Sequence, residues 1–245
     1  MQTQEPQLRG KVAIVTGAGR GIGRAIALAY ARQGAAVCCA ARSLGQVQET
    51  AAQIAAEGGR ALAVATDVTD FASVERMVGE AEQAFGGLDI VVMNAGVGGG
   101  QQTVEASDPQ TWRATIEVNL MGAYHCAKAA LPALKRRGAG KIIAIGSGHG
   151  QRGRAGVSDY ACSKAGLWML TRVLAQELAP HNISVNQLIP GPVVTEMTGD
   201  LLARNTFEGE WVKSPEDVAP LAVFLAAQPE PGPTAQSFSL MRRDA

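Results

Sequence analysis

Three side chains near the middle of the chain have types and a spacing that suit proton transfer. Tyr160 and Lys164 are four residues apart at the start of a predicted helix, residues 159–178, so both project from one helix face. Ser147 directly follows a predicted strand, residues 141–146. Ligands of parallel sheets bind at the carboxyl ends of the strands. The three side chains are therefore expected to meet at one site.

The chemistry of these three groups is complementary. An unperturbed phenol has a pKa of about 10, too high for efficient proton exchange at neutral pH. The Lys164 ammonium is expected to stabilise the Tyr160 phenolate and to lower that pKa, which makes the phenol a candidate general acid–base. The Ser147 hydroxyl can hydrogen-bond a carbonyl oxygen and stabilise a developing alkoxide. The alternative is a half-buried tyrosine beside a solvated lysine.

The elements that must position these groups alternate between short apolar runs and amphipathic segments. Near-continuous apolar strands separated by helices predict an α/β fold, a single-domain Rossmann-type doubly wound parallel sheet with helices on both faces. A last helix is expected after Ser214, which is placed as its N-cap, and the whole chain, 1–245, is expected to be one domain. The predicted strands, about seven, are residues 12–16, 36–40, 61–66, 90–93, 141–146, 183–188 and 235–240. The predicted helices are residues 23–33, 44–57, 71–85, 108–136 and 159–178.

A glycine-rich segment follows the first predicted strand. It reads Gly17-Ala18-Gly19-Arg20-Gly21-Ile22-Gly23 and leads into a helix. Glycines at a strand-to-helix turn let the backbone approach a pyrophosphate at the helix N-terminus. The spacing alone is a weak signal in a chain with 29 glycines, but its position predicts a dinucleotide site. A bound nicotinamide would supply or take a hydride.

The end of the second predicted strand indicates which dinucleotide is bound. A carboxylate is usual there for NAD, but this strand ends in Ala40-Ala41-Arg42-Ser43. An acidic residue would repel a 2′-phosphate, whereas Arg42 can bind one with two hydrogen bonds, and Arg20 can add a second positive charge. NADP(H) is therefore predicted over NAD(H), with a solvated Arg42 as the alternative.

Composition excludes other classes of function. Lys plus Arg and Asp plus Glu both total 22, so there is no basic surface for nucleic acid. No apolar run approaches the ~20 residues of a membrane span. Residues 1–10 are polar, without a secretory leader, so a cytoplasmic location is expected. The four cysteines have no metal-binding or redox spacing, so buried reduced thiols and no metal site are predicted.

With these motifs in this order, the sequence resembles the classical short-chain dehydrogenase/reductase family from about Lys11 to Leu240. The context of Ser147 and of Arg42 is most similar to 3-oxoacyl thioester reductases and related carbonyl reductases. The matching motifs are Thr16–Gly23, Asp67-Val68, Asn94-Ala95-Gly96, Asn119, the Ser147, Tyr160 and Lys164 set, Pro190-Gly191 and Thr195.

The resemblance implies a role for each matching position. Tyr160 is then the acid–base, Lys164 binds the nicotinamide ribose, Ser147 polarises the carbonyl and Asn119 holds a water that relays protons. It also implies a homotetramer or dimer. The implied cofactor-binding residues are Gly17, Gly19, Arg20, Gly21, Ile22, Gly23, Arg42, Ser43, Asp67, Val68, Asn94, Ala95, Gly96, Tyr160, Lys164, Pro190, Gly191, Val193 and Thr195.

Two departures from the family pattern concern the substrate. The expected lid, residues 195–213, is short, and the tail reads Ser237-Phe238-Ser239-Leu240-Met241 where many relatives have an Asp-Gly-Gly segment. The predicted activity is interconversion of a ketone and a secondary alcohol, with a 3-oxoacyl thioester as one candidate substrate. A sugar or polyol dehydrogenase and a non-catalytic cofactor-binding scaffold are the alternatives. A nucleotide-sugar epimerase is disfavoured, because only about fifty residues follow Thr195.

Overall fold

A computed structural model of the protein describes residues 5–199 and 209–241. Within this part of the chain, seven strands form one parallel sheet in the order β3-β2-β1-β4-β5-β6-β7. The predicted parallel doubly wound sheet is confirmed, and strand ends shift by at most a few residues. The strands are β1 Val12–Thr16, β2 Ala36–Ala41, β3 Arg60–Ala65, β4 Ile90–Met93, β5 Gly140–Ile145, β6 Ile183–Ile189 and β7 Ser237–Ser239.

The helices cover both faces of this sheet. The long helix predicted over residues 108–136 is confirmed as a continuous helical segment from Pro109 to Arg137, in which a π-helical turn at Glu117–Met121 separates the α-helical parts α4 and α5. Ser214 and Asp217 form a capping box around a 3-10 turn, after which α7 begins. The helices are α1 Gly21–Arg32, α2 Leu44–Ala56, α3 Phe71–Phe85, α4 Pro109–Ile116, α5 Gly122–Arg137, α6 Ser158–Leu178 and α7 Ala219–Ala226.

The alternation of side chains along the strands divides the core into two clusters. Cys38 of β2 packs with α3, α5 and α6 on one face, and its neighbour Cys39 packs with α1, α2 and α7 on the other. Successive residues of a strand point to opposite faces, and both faces of this sheet are covered, so the strands are apolar throughout. The central strand β1, for example, is buried at every position.

The sheet order creates the crevice in which ligands of this architecture bind. After β3 the chain crosses back to place β4 on the other side of β1, so β1 lies between β2 and β4. The connections that follow the strands on the two sides of β1 run in opposite directions. This reversal opens a cleft at the carboxyl ends of the strands. No described helix combines the length and apolar character needed to cross a membrane.

Candidate active site

The loop between β1 and α1 is shaped by glycine geometry. Gly17 has φ +67°, a left-handed conformation that favours glycine. A Cβ atom at Gly23 would lie well inside van der Waals contact of the Gly17 carbonyl oxygen and the Asn94 side-chain nitrogen. Gly23 therefore lets the first turn of α1 pack directly on the loop, which leaves the backbone N–H groups of the turn free to face an anion.

Two polar side chains fasten this loop to the neighbouring strand. The Asn94 side-chain nitrogen donates to the Thr16 carbonyl oxygen at 2.8 Å and the Gly17 carbonyl oxygen at 3.3 Å. The Thr16 hydroxyl accepts hydrogen bonds from the backbone nitrogens of Asn94 and Ala95 and donates one to the Val92 carbonyl oxygen. Asn94 thus holds together the ends of β1 and β4, a supporting contact that its sequence position did not reveal.

A cleft of about 630 Å³ extends from this loop along the carboxyl ends of the strands. All the predicted cofactor-binding residues line it except Gly23, which supports the loop from behind. The cleft has the glycine turn, the exposed helix N-terminus and the elongated shape that a dinucleotide needs, so the residues present fit a nicotinamide dinucleotide. The lining residues among those predicted are Gly17, Gly19, Arg20, Gly21, Ile22, Arg42, Ser43, Asp67, Val68, Asn94, Ala95, Gly96, Tyr160, Lys164, Pro190, Gly191, Val193 and Thr195.

The two predicted phosphate-binding arginines have different surroundings. Arg42 is exposed at the end of β2, close enough to Asp67 to help lower the pKa of that carboxyl, although hydrogen bonds from Thr69 contribute more. Arg20 forms an ion pair with Glu196 across the mouth of the cleft, which sequence reasoning did not anticipate. Both members of that pair are exposed, and such pairs contribute little free energy, so Arg20 can exchange Glu196 for a phosphate.

The structure brings Ser147, Tyr160 and Lys164 together at the opposite end of the cleft. The Lys164 Nζ atom lies 5.7 Å from the centroid of the Tyr160 ring and donates a 2.9 Å hydrogen bond to the Ile145 carbonyl oxygen at the end of β5. The Ser147 hydroxyl interacts with the Tyr160 phenol and also accepts from the backbone nitrogen of His149 at 3.2 Å. Three groups able to donate or exchange protons thus converge where β5 ends.

Burial dominates the electrostatics of this group. Desolvation lowers the pKa of Lys164 to about 8, since its side chain is almost completely buried and a charged ammonium is disfavoured there. Desolvation also raises the pKa of Tyr160, and the hydrogen bond with Ser147 opposes that rise only in part. The expected lowering of the Tyr160 pKa is therefore not found in this geometry, because burial raises the pKa more than the Ser147 hydrogen bond lowers it.

Asn119 lies behind the cleft, in the π-helical turn between α4 and α5. Its side chain accepts a 2.8 Å hydrogen bond from the Val97 nitrogen and donates 3.0 Å bonds to the Val97 carbonyl oxygen and the Ser163 hydroxyl. A Cβ atom at Gly96 would lie 3.1 Å from Asn119 Oδ1 and 3.7 Å from Lys164 Nζ, so Gly96 keeps the space between them open. The proton relay through Asn119 stays a prediction.

The last described residues, around Met241, lie near the reacting groups. The buried Lys213 ammonium donates hydrogen bonds to the carbonyl oxygens of Trp211 and Leu240, and Met241 packs against Gly148 and Gly191. Met241, the last described residue, contacts the loop after β5 at Gly148. The unusual tail therefore lies beside Ser147. Of the expected lid, residues 195–213, the part 200–208 is outside the described residues.

The surroundings of two histidines and one cysteine are also defined by the structure. His149 faces the Tyr160 ring at 6.2 Å between centroids, and burial lowers its pKa. His125 contacts the Val68 carbonyl oxygen through Nδ1 at 2.9 Å. Cys162 is exposed, so the prediction that all four thiols are buried was wrong at this position.

The side chain that sequence reasoning missed at this site is Asp159. Its carboxylate is buried and accepts hydrogen bonds from the backbone nitrogens of Gly100 and Tyr160, both at 2.7 Å. An acidic residue in the first turn of a helix is common because the helix dipole stabilises it, so its position in the sequence did not distinguish it from a solvated residue.

Comparisons with known proteins agree with this architecture. The family model for short chain dehydrogenase matches residues 11–206. The chain is 37% identical to the short-chain reductase protein NovJ of Streptomyces niveus, over 90% of this chain and 88% of that protein. It is 34% identical to the 3-oxoacyl-[acyl-carrier-protein] reductase of a Synechocystis strain, over 95% and 96%.

A solved structure with a similar fold and sequence agrees with these relatives. A structure from Beutenbergia cavernae, described as an NAD(P) dependent gluconate 5-dehydrogenase with bound NADP at low occupancy, has a TM-score of 0.86 and 36% identity. The match covers 96% of this chain and 97% of that one. The chain belongs to the short-chain dehydrogenase/reductase family and has its oxidoreductase activity.

Proposed function

We propose that the protein is an NADP(H)-dependent oxidoreductase that interconverts a ketone and a secondary alcohol. The observation that carries this proposal is the convergence of Ser147, Tyr160 and Lys164 at one end of a cleft whose other end fits a dinucleotide. The bound nicotinamide supplies or accepts the hydride. A scaffold that only binds the cofactor would have no need for this acid–base group.

The protein's own residues account for the proton and for the charge on oxygen. In the reductive direction the Ser147 hydroxyl donates a hydrogen bond to the ketone oxygen, and the Tyr160 phenol transfers its proton to that oxygen as negative charge develops there. A phenol with the ordinary pKa of about 10 is already protonated at neutral pH, which suits a general acid, and burial raises the pKa of Tyr160 further. The Lys164 ammonium, held by the Ile145 carbonyl oxygen, lies on the ring side of the phenol and stabilises the phenolate that remains.

The choice of NADP(H) rests on Arg42. It is exposed at the adenosine end of the cleft, where an NAD-specific site has a carboxylate, and its guanidinium can bind a 2′-phosphate with two hydrogen bonds. Arg20 adds positive charge when it leaves Glu196. The bound NADP of the structural neighbour from Beutenbergia cavernae supports this choice.

The candidate substrate class is a 3-oxoacyl thioester, as the similarity to the Synechocystis reductase suggests. A sugar acid or another secondary alcohol is the second candidate, because the neighbour from Beutenbergia cavernae is described as a gluconate 5-dehydrogenase. The single continuous sheet supports one domain over 1–245. The homotetramer or dimer and the cytoplasmic location stay predictions.

The proposal is tested by following NADPH and NADH oxidation with a panel of acetoacetyl thioesters, sugar ketones, diketones and aryl ketones. We expect turnover of at least one ketone class and a higher kcat/KM with NADPH than with NADH. Turnover that prefers NADH would contradict the role of Arg42. Tight NADPH binding without turnover of any ketone would favour the scaffold.

A further inference from the structure

The segment 96–101, which follows β4 and is called here the β4 loop, forms the wall of the cleft beside the reacting groups. Val97 lines the cleft, and a Cβ atom at Gly98 would lie 3.4 Å from the Met197 side chain, which lines it from the other side. The conformation of this loop therefore decides how much space a substrate has next to Tyr160.

One buried carboxylate connects the β4 loop to the helix that carries the reacting phenol. Asp159 Oδ2 accepts from the Gly100 nitrogen at 2.7 Å and from the Thr115 hydroxyl at 3.2 Å. Asp159 Oδ1 accepts from the Tyr160 nitrogen at 2.7 Å. One side chain thus joins the β4 loop, α4 and the first turn of α6.

The loop is shaped to receive this carboxylate. Gly99 has φ +78°, and a Cβ atom there would lie 2.6 to 2.8 Å from the carboxyl group of Asp159. No side chain can occupy that space while the carboxylate is present. The short distances to Gly100 and Tyr160 are those of charge-assisted hydrogen bonds, which are about twice as strong as neutral ones.

We propose that Asp159 is a positioning residue for the substrate: its carboxylate holds the β4 loop at a fixed distance from Tyr160 and thereby sets the affinity for the ketone. It acts through the loop and does not touch the reacting atoms. The kinetic part of this inference rests on the proposed reduction of a ketone, whereas the anchoring of the loop does not.

The isosteric variant Asp159→Asn separates this role from simple stabilisation. Asparagine keeps one acceptor oxygen and has no charge, so it cannot keep the hydrogen bonds to both backbone nitrogens, and the bond that remains is no longer charge-assisted. We expect the KM for the ketone to rise at least about tenfold, with the Kd for NADPH, measured by fluorescence titration, within about twofold of the wild type. A purely structural role would lower the active fraction, and so the apparent kcat, and leave the ketone KM unchanged.

Hydrogen exchange tests the anchoring without any turnover. The Gly100 amide should exchange at least about tenfold faster in Asp159→Asn than in the wild type, because its acceptor is lost or weakened. The matched control is Asp70→Asn, at the exposed N-cap of α3, where asparagine caps equally well and neither readout should change. If no ketone is reduced by the wild type, the proposed function fails, and the exchange at Gly100 alone decides whether Asp159 anchors the loop.

A second variant keeps the test decisive if Asp159→Asn does not fold. Gly99→Ala displaces the carboxylate from the loop side, so it should give the same rise in ketone KM and the same faster exchange. Because both changes break one contact, the double variant should be little worse than either single variant. The proposal would be overturned if either single variant left both the ketone KM and the exchange at Gly100 unchanged. Fully additive effects in the double variant would overturn it as well.

Discussion

The two ends of the cleft are built from different chemical groups, mainly backbone atoms at the dinucleotide end and polar side chains at the reaction end. At the dinucleotide end, glycines let backbone atoms approach each other, and the few side chains involved hold the backbone in place, as Asn94 does at Gly17. At the reaction end, buried polar side chains such as Asn119, Asp159 and Lys164 make the contacts. The dinucleotide end should therefore be sensitive to added atoms, and the reaction end should be sensitive to the loss of single polar atoms.

The most damaging change at the dinucleotide end should be Gly23→Ala. The added Cβ atom has no space between the Gly17 carbonyl oxygen and Asn94, so the loop must shift. We expect the Kd for NADPH to rise about 100-fold, which corresponds to about 3 kcal/mol of overpacking. Fluorescence titration of NADPH measures it.

The matched control for this change is Gly79→Ala. Gly79 lies within α3, and an added Cβ atom there has nothing within 4 Å. Binding of NADPH should be unchanged and stability should rise by about 0.5 to 1 kcal/mol, since alanine favours the helix. Equal binding by both variants would mean that the loop does not depend on close backbone packing.

Arg42→Asp should raise the KM for NADPH, an effect of intermediate size. Loss of charge-assisted hydrogen bonds to a 2′-phosphate, with an acidic residue in their place, should raise the KM for NADPH about 10- to 100-fold. The KM for NADH should change little or fall. Arg9→Asp makes the same charge change at an exposed position near the amino end of β1 and is the control. Equal effects on both cofactors would exclude Arg42 as the determinant.

The smallest effect concerns stability and comes from Lys164 at the reaction end. Its folded pKa is lowered by burial to about 8, so from about pH 8 up to the ordinary lysine pKa the unfolded chain binds the proton that the folded chain has released. The contribution of Lys164 to stability should therefore rise with pH in this window and stay level below it. Relative to Lys164→Met, the free energy of unfolding should increase by about 2 kcal/mol from pH 7 to pH 10.

Denaturant unfolding at three pH values measures this difference, and the exposed Lys135→Met variant is the control that should follow the wild type. Parallel pH curves for the wild type and Lys164→Met would show that the buried amine has an ordinary pKa. Burial of the Lys164 ammonium would then not lower the free energy of unfolding.

Local patterns made much of the fold and of the dinucleotide end predictable. The run from Val12 to Thr16 is apolar because β1 is covered on both faces, and the glycines after it are required by backbone geometry that no other residue provides. The helix predicted over residues 108–136 contains a π-helical turn at Glu117–Met121 that was not predicted, because such a turn does not interrupt a helical pattern of residues.

The contacts that could not be predicted join residues far apart in sequence. The Asp159 carboxylate meets Gly100, and the Lys213 ammonium meets the Leu240 carbonyl oxygen. Nothing in the spacing of these residues shows that their charges are buried or what satisfies them. The pKa of Tyr160 depends in the same way on burial by the assembled site, and this is why its direction was misjudged from its distance to Lys164 in the sequence.

The division between the two ends is tested most directly by measuring NADPH affinity and ketone turnover together in Tyr160→Phe, with the half-exposed Tyr124→Phe as the matched control. Loss of the phenolic oxygen should reduce kcat/KM by about 100- to 10,000-fold, the usual contribution of general acid–base catalysis. The Kd for NADPH should remain within about twofold. Turnover by Tyr160→Phe equal to that of Tyr124→Phe would contradict the central claim that Tyr160 transfers the proton.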